Sequence, residues 1–493
     1  MKKAIIIGAG IGGIALAIRL QTAGISTIIL EQRDKPGGRA YVYKQDGFIF
    51  DAGPTVITDP NSIKLLFDLS KNRMENYVNL LPIKPFYRLY WGKEKFLNYE
   101  DNIKDLEKQI AKFNLNDIKG YRLFLNYSKK VFKEGYLSFA SKSFLTINDM
   151  LFILPKLIKI KAWKSVYSIV SQFIKNDYLK QAFSFNSLFI GGNPFSTSSI
   201  YTLIHALEYE WGIWFPKGGV GALIKALIKL FQNLGGNLIL NSQVISIYVN
   251  NNKVNKVHLK NGQIFDADII VSNADIINTY RNLLGQYAFG KKKYMNLIKK
   301  KMSNSLFVIY FGLSEQYTHL AHHTIFFPSN YKKSIENIFG KNFSRDNLSI
   351  YLHSPSVTDL SLAPTGCSTF YALIPVPNLS NSSINWSEES IKLKNIVFMY
   401  LEQYCIPNLR KKLITQRIFT PNDFKDVLGS YLGSAFSFAP LLTQSAWFRP
   451  HNRDKNLTNL YFVGAGTHPG AGIPGVIASA NITAEIIFND INL

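Results

Sequence analysis

A chain of 493 residues with 47% hydrophobic, 14% aromatic and only 18% charged side chains can bury a core large enough for roughly two to four structural units, which excludes a disordered chain. Its formal charge of +23, from 56 Lys and Arg against 33 Asp and Glu, suits nucleic acid, an anionic membrane surface, or a mere bias toward Lys, Asn and Ile; no nucleic-acid motif accompanies it. Cys367 and Cys405 lie far apart without CxxC spacing, which excludes a disulfide framework and a zinc site and fits a reducing compartment.

Lys2 to Ile7 is a β-branched run followed at once by Gly8, Gly10 and Gly13 and then by the helical pattern Ile14, Leu16, Ala17, Leu20. The order strand, glycine turn, helix is a dinucleotide fingerprint. Gly8 permits the turn, Gly10 lets the backbone approach a pyrophosphate, and Gly13 lets the helix pack closely on the strand. Thr27 to Leu30 predicts a second parallel strand, with Glu31 at its end placed to accept from ribose hydroxyls. The next residues, QRDKPGGR from Gln32 to Arg39, bring the amides around Gly38 and one guanidinium, Arg39, toward phosphates or a flavin. A plain nicotinamide dehydrogenase lacks such a loop.

From about Pro82 to Tyr209 the chain is rich in Phe, Tyr, Leu and Ile and poor in acids. A core explains this composition, and so does a tunnel for a long hydrocarbon that binds through apolar area. Asp149 stands alone amid Phe144, Leu145, Ile147, Met150 and Leu151. It reads either as a base whose pKa is raised by desolvation or as a helix cap with Asn148. Glu208, Glu210, Asp423 and Asp426 are the other carboxylates in apolar surroundings. Lys156, Lys159, Lys161 and Lys164 interleave with Leu157, Ile158, Ile160 and Trp163, a pattern that fits a peripheral membrane contact or an ordinary solvated face. No run is long and apolar enough for a spanning helix; uncharged stretches such as 181–207 read as core or cavity wall. His205 and His468 are weaker candidates for proton transfer.

Val220 to Leu234 predicts an amphipathic helix closed by Gly235 and Gly236, and Asn237 to Leu240 a strand. Asn459 to Val463 predicts another strand, after which Gly464, Gly466, Gly470, Gly472 and Gly475 lead into a helix from Val476 to Ile487. This second glycine-lined turn can bring backbone N–H groups to a flavin and stabilise negative charge on its reduced ring.

With MKKAIIIGAGIGGIALAIRL, EQRDKPGGRAYVY, FDAGPTVITDP, FSFNSLFIGGNPFSTSSIYTLIHALE, WGIWFPKGG, KKMSNSLFV, TQSAWFRPHNRDK and NLYFVGAGTHPGAGIPGV, the chain resembles bacterial phytoene desaturases, flavoproteins of the carotenoid and retinoid oxidoreductase group, over nearly its whole length. The resemblance implies an α/β fold in which a discontinuous Rossmann-like FAD-binding domain (1–80, 213–288 and 432–493) carries an inserted α+β region for substrate and membrane (81–212 and 289–431). It places Pro54, Thr55, Val244, Asn273 and Val476 with the glycines around FAD, and it assigns no metal. Where some relatives have an arginine, Phe152 stands three residues after Asp149, so an ion-paired arrangement is not expected there.

Phytoene offers no acid, base or leaving group, so its desaturation requires an oxidant that takes a hydride from an allylic carbon, after which a base or water collects a proton. The expected function is FAD-dependent conversion of phytoene toward lycopene or a shorter-series product on the cytoplasmic face of the cell membrane, with quinone or oxygen open as electron acceptor. A flavin oxidase of the amine or porphyrinogen type and a non-redox polyene isomerase are the alternatives. Nucleic acid is not expected as a partner.

Overall fold

The computed structural model describes residues 2–137, 142–340, 343–381 and 383–493. Lys3–Ile7 lies at the centre of a five-stranded parallel sheet ordered Leu460–Phe462, Ile269–Ser272, Lys3–Ile7, Ser26–Leu30, Asn237–Ile239. Ile5 is in register with Ile28 on one side and Ile270 on the other. The sheet therefore draws its strands from the start, middle and end of the chain. The strands read as continuous apolar runs because both faces are covered, as parallel sheets require. Ala4 and Ile6 enter a core shared with the helices Ile11–Thr22, Val220–Asn233 and Ile473–Asp490. Ile5 and Ile7 enter a second core under the antiparallel meander Val244–Asn250, Lys253–Leu259, Ile264–Asp266.

A separate seven-stranded sheet runs Leu413–Phe419, Ser305–Leu313, Ser368–Val376, Ile350–His353, His323–Phe326, Tyr87–Trp91, Lys95–Tyr99. Its neighbours are antiparallel except for His323–Phe326 beside Tyr87–Trp91. Alternation again sorts side chains to two faces. Phe307, Ile309 and Phe311 join the core that holds the helix Trp386–Tyr404, while Val308 and Tyr310 join a core that includes Tyr121, Phe124, Val166 and Phe183. The parallel α/β unit and the mixed region inserted into it match the class expected from the sequence.

One joint ties the N-terminal strands to the middle of the chain. Asp51, buried at the end of the strand Phe48–Asp51, accepts from the backbone N–H groups of Val220 and Gly221 at 2.9 and 3.2 Å, so it caps a helix from mid-chain. Burial pushes the Asp51 carboxyl up to about 6 against those hydrogen bonds. The basic stretch from Lys156 to Lys164 closes the helix Ile147–Lys159, where Lys161 takes φ 53°, and the helices Val166–Phe173 and Asp177–Ala182 follow.

Candidate functional site

A cavity of about 950 Å³ extends from the C-terminal ends of the first two strands, at Ile7 and Leu30, to the inner face of the seven-stranded sheet at Val308, Tyr310, Tyr371 and Leu373. Ligands of open parallel sheets bind beyond those strand ends. One end of the cavity is glycine-rich. Gly8, Gly10, Glu31, Gly38, Arg39, Pro54, Thr55, Val244, Asn273, Gly464, Gly475 and Val476 all line the cavity, whereas Gly13, Gly466 and Asp149 do not. Gly13 and Gly466 serve packing instead. A Cβ on Gly13 would stand 2.5 Å from the Gly8 carbonyl oxygen, and one on Gly466 3.2 Å from Ile276.

The helix Ile11–Thr22 starts at Gly10 without a side-chain cap, which leaves its N-terminal N–H groups for a ligand. The Gln32 to Arg39 loop returns to this turn through Gly37 N–H donating to the Ala9 carbonyl at 2.8 Å. Glu31, buried, accepts from Ala9 N–H at 2.7 Å and from Arg33 N–H at 3.0 Å. Each of its oxygens keeps a further lone-pair site for a hydroxyl. Burial raises its pKa, and the backbone hydrogen bonds from Ala9 and Arg33 pull it back. Arg39 lines the cavity while donating to Ser430 Oγ at 2.8 Å, with Asp275 as its counter-charge. An uncapped helix start, a buried carboxylate at a strand end and close-set glycines suit a dinucleotide cofactor.

The opposite end is apolar, lined by Phe144, Met150, Ile153, Leu157, Ile160, Leu203 and Leu207 among others. Glu208 borders it but is sealed, at 0% exposure. Tyr87 donates to its Oε1 at 2.8 Å, Asn186 to Oε2 at 2.8 Å and Tyr99 to Oε2 at 3.3 Å. Burial still pushes its carboxyl up to about 7. With its oxygens occupied, Glu208 stiffens the wall.

Asp149 departs from the expectation of a raised pKa. It belongs to a capping box with Thr146, whose N–H and hydroxyl donate to Asp149 Oδ2 at 2.9 and 2.8 Å. Desolvation pushes its pKa up, but the Thr146 hydrogen bonds together, with help from Lys142, outweigh it and hold the carboxyl below its ordinary value. A partly exposed cap, held ionised and absent from the cavity lining, is a poor base. His205 is also structural: burial lowers its pKa to about 3, and its Nδ1 pairs with Tyr99 OH at 2.5 Å among Tyr121, Phe124 and Phe183. His468 lines the cavity against the edge of Phe144.

Sequence reading missed a polar cluster on the seven-stranded sheet. Thr55 Oγ1 lies 2.7 Å from Tyr371 OH and 3.2 Å from Tyr351 OH, and Tyr351 OH lies 2.8 Å from His323 Nδ1. His322 and His353 join it, with their Nε2 atoms 3.0 Å apart. Among the described residues this trio is the group whose spacing could hold a metal ion. No carboxylate or thiolate joins it, and burial keeps all three rings neutral. Only the pairing of His323 with His353 across two strands brings them together, a register that no local motif announces.

A family model for flavin-containing amine oxidoreductases matches residues 11–488. The lycopene-forming phytoene desaturase of Pseudescherichia vulneris is 58% identical over 491 residues, covering 100% of both chains. That of Pantoea ananas is 56% identical, again over 100% of both. Among solved structures, an oxidoreductase from Methanosarcina mazei superposes with a TM-score of 0.67 over 99% of this chain and 100% of its own, at 15% identity, which speaks for the fold alone. The chain belongs to the flavin-containing amine oxidoreductases and, within them, to the bacterial phytoene desaturases.

Proposed function

We propose that this enzyme is an FAD-dependent carotenoid desaturase that takes phytoene through successive dehydrogenations, with isomerisation, to all-trans-lycopene or a shorter-series product, and passes the electrons to a quinone or oxygen. The observation that carries the reading is one continuous cavity with a glycine cradle at one end and an apolar chamber at the other. The full-length similarity to lycopene-forming desaturases supports it. Gly8, Gly10 and the start of Ile11–Thr22 would hold the pyrophosphate, Glu31 the ribose, and the segment from Gly464 to Val476 the ring. Segments 1–80, 213–288 and 432–493 would form the cofactor domain, and 81–212 with 289–431 the substrate region.

When bound, FAD supplies the oxidant that takes a hydride from an allylic carbon. The chain's own part is to bind, orient and keep dry. Ile153, Leu157, Leu203, Leu207 and Leu373 clasp an alkyl chain through apolar area, and the sealed wall around Glu208 fixes the chamber's shape. After hydride departure the adjacent C–H bond breaks, its electron pair forms the new double bond, and water or another base takes the proton.

Delivery of so insoluble a substrate points to the helix Ile147–Lys159. Its inner residues Ile153 and Leu157 line the cavity, while Leu151, Phe152, Leu154 and Ile158 face outward with Trp163 beyond; Phe152 is 69% and Trp163 60% exposed. An apolar outer face with Lys159, Lys161 and Lys164 alongside suits a peripheral contact with an anionic membrane. Among the described residues no helix is long and apolar enough to cross a bilayer. Incubating FAD-loaded protein with phytoene in liposomes tests the reading: the extracted pigment should show the absorption bands of lycopene or a shorter-series polyene. Unchanged phytoene would refute it.

A further inference from the structure

Arg449 stands where the C-terminal glycine loop meets the cavity. It is 2% exposed and lines the cavity wall. Its Nε donates to the Thr467 carbonyl at 2.9 Å and its Nη2 to the Ala465 carbonyl at 2.7 Å. The guanidinium lies under Gly470, where an added Cβ would be 3.4 Å from Cζ. Thus one side chain both shapes the loop and carries a full charge into a closed space.

Among the described residues no carboxylate forms an ion pair with that charge. The groups that act on Arg449 are Tyr201 and Lys300, neither of them negative at neutral pH. Lys300 adds a second cation, donating to the Phe448 carbonyl at 2.8 Å. Burial lowers the Arg449 pKa, yet a guanidinium keeps its proton at any physiological pH. Arg39 shows the contrast: it also lines the cavity, half-buried, but Asp275 offsets its charge. The helix Ile473–Asp490 adds to the imbalance, since it starts at Gly472 with no side-chain cap and Gly472 and Ile473 line the same cavity. Its positive end is therefore also unneutralised. An unpaired buried cation is costly to a fold unless negative charge arrives beside it.

Hydride transfer brings that charge. A hydride carries two electrons and one proton, so a neutral flavin ring that receives it gains one negative charge, while the hydrocarbon loses the C–H pair and is left cationic until its proton departs. The phosphates are provided for elsewhere, by the turn from Gly8 to Gly13. We infer that Arg449, with the N-terminus of Ile473–Asp490, stabilises the anionic reduced ring and so raises the reduction potential of the bound flavin; the inference rests on the FAD reading above. Such a bias suits an enzyme that must oxidise an unactivated hydrocarbon.

The test is the midpoint potential of the bound flavin, without polyene, in the wild type, Arg449→Gln and Arg449→Lys, each with its flavin content measured. In the wild type the potential should lie above that of free FAD. Arg449→Gln should weaken binding of reduced relative to oxidised flavin by about tenfold or more, a fall of about 30 mV for a two-electron couple. Arg449→Lys should recover most of that loss, although it cannot remake the fork to Ala465 and Thr467. A flavin-loaded Gln variant with the wild-type potential would overturn the inference, because a purely structural arginine would change FAD retention and leave the potential alone. If the Gln variant loses its flavin, the decision passes to the other two proteins: a wild-type potential below that of free FAD, or a flavin-loaded Lys variant as low as free FAD, also overturns it. A wild type that takes up no FAD would sink the cofactor reading itself.

Discussion

Asn273 donates from Nδ2 to the Val463 carbonyl at 3.0 Å, and its Oδ1 lies 2.7 Å from where a Cβ on Gly10 would stand. The same side chain bounds Gly13 and Gly464. One amide therefore clamps the three chain regions that build the parallel sheet, and it gives Gly10 a reason to be glycine besides approach to a pyrophosphate. Gly10→Ala and Asn273→Ala should be coupled: the alanine at 10 costs less when Asn273 has been shortened. The expected interaction energy is about 1 kcal/mol, within the range for residues in contact. Urea unfolding of the four proteins of the double-mutant cycle measures it, and strict additivity would dismiss the clamp.

Asp149→Asn should leave turnover within about threefold of the wild type. Asparagine at this position still accepts from the Thr146 backbone, and only the charge near the helix N-terminus is lost, at about 0.3–1 kcal/mol of stability. Product formed per minute from phytoene liposomes is the measurement. A loss of roughly two to four orders of magnitude would restore Asp149 as the base.

Glu208 predicts a pH dependence of stability. Burial raises its folded pKa to about 7, above the ordinary carboxylate range, so the folded state holds a proton that the unfolded chain releases. Its favourable contribution is complete below the unfolded value and is lost as pH rises through about 7. Glu208→Gln keeps the shape without the charge. Its stability relative to the wild type should improve by up to roughly 3 kcal/mol between pH 5 and pH 8, the worth of the shift at about 1.4 kcal/mol per pH unit. Denaturation at the two pH values decides, and a constant difference would contradict the buried titration.

Replacing Leu151, Phe152 and Trp163 with Ser should weaken sedimentation with anionic liposomes at least tenfold while leaving FAD content unchanged, since each exposed side chain gives up apolar area that a lipid surface would cover. Changing Lys159, Lys161 and Lys164 to Gln should weaken it further at low salt than at high salt, at about 1 kcal/mol per cation. Lys156 is unsuited to that test because it pairs with Glu134 at 3.4 Å and lines the cavity. Unchanged sedimentation of both sets would make the helix an ordinary surface.

Local chemistry made the cofactor end readable. The strand expected from Lys2 to Ile7 is Lys3–Ile7, the helix expected from Val220 to Leu234 is Val220–Asn233, and the C-terminal helix starts three residues earlier than expected, at Ile473, where Gly472 ends the turn. Each is marked by glycines and by a change of apolar period. What stayed hidden depends on long-range pairing. Arg449 lies in a coil without pattern; its meaning comes from Ala465 and Thr467. The histidine trio needs the register of two strands. For Asp149 the sequence left a base and a helix cap open, because apolar neighbours in sequence do not imply burial: Ile147, Leu151 and Phe152 point outward from the same helix.

Anaerobic mixing of the FAD-loaded enzyme with phytoene-containing liposomes tests the central claim most directly. The oxidised flavin absorbance should bleach as one new conjugated double bond appears per flavin reduced, and admission of oxygen or a quinone should restore the colour and allow further bonds to form. Flavin that stays oxidised while the polyene remains unchanged, or that bleaches with an amine instead, would contradict the account.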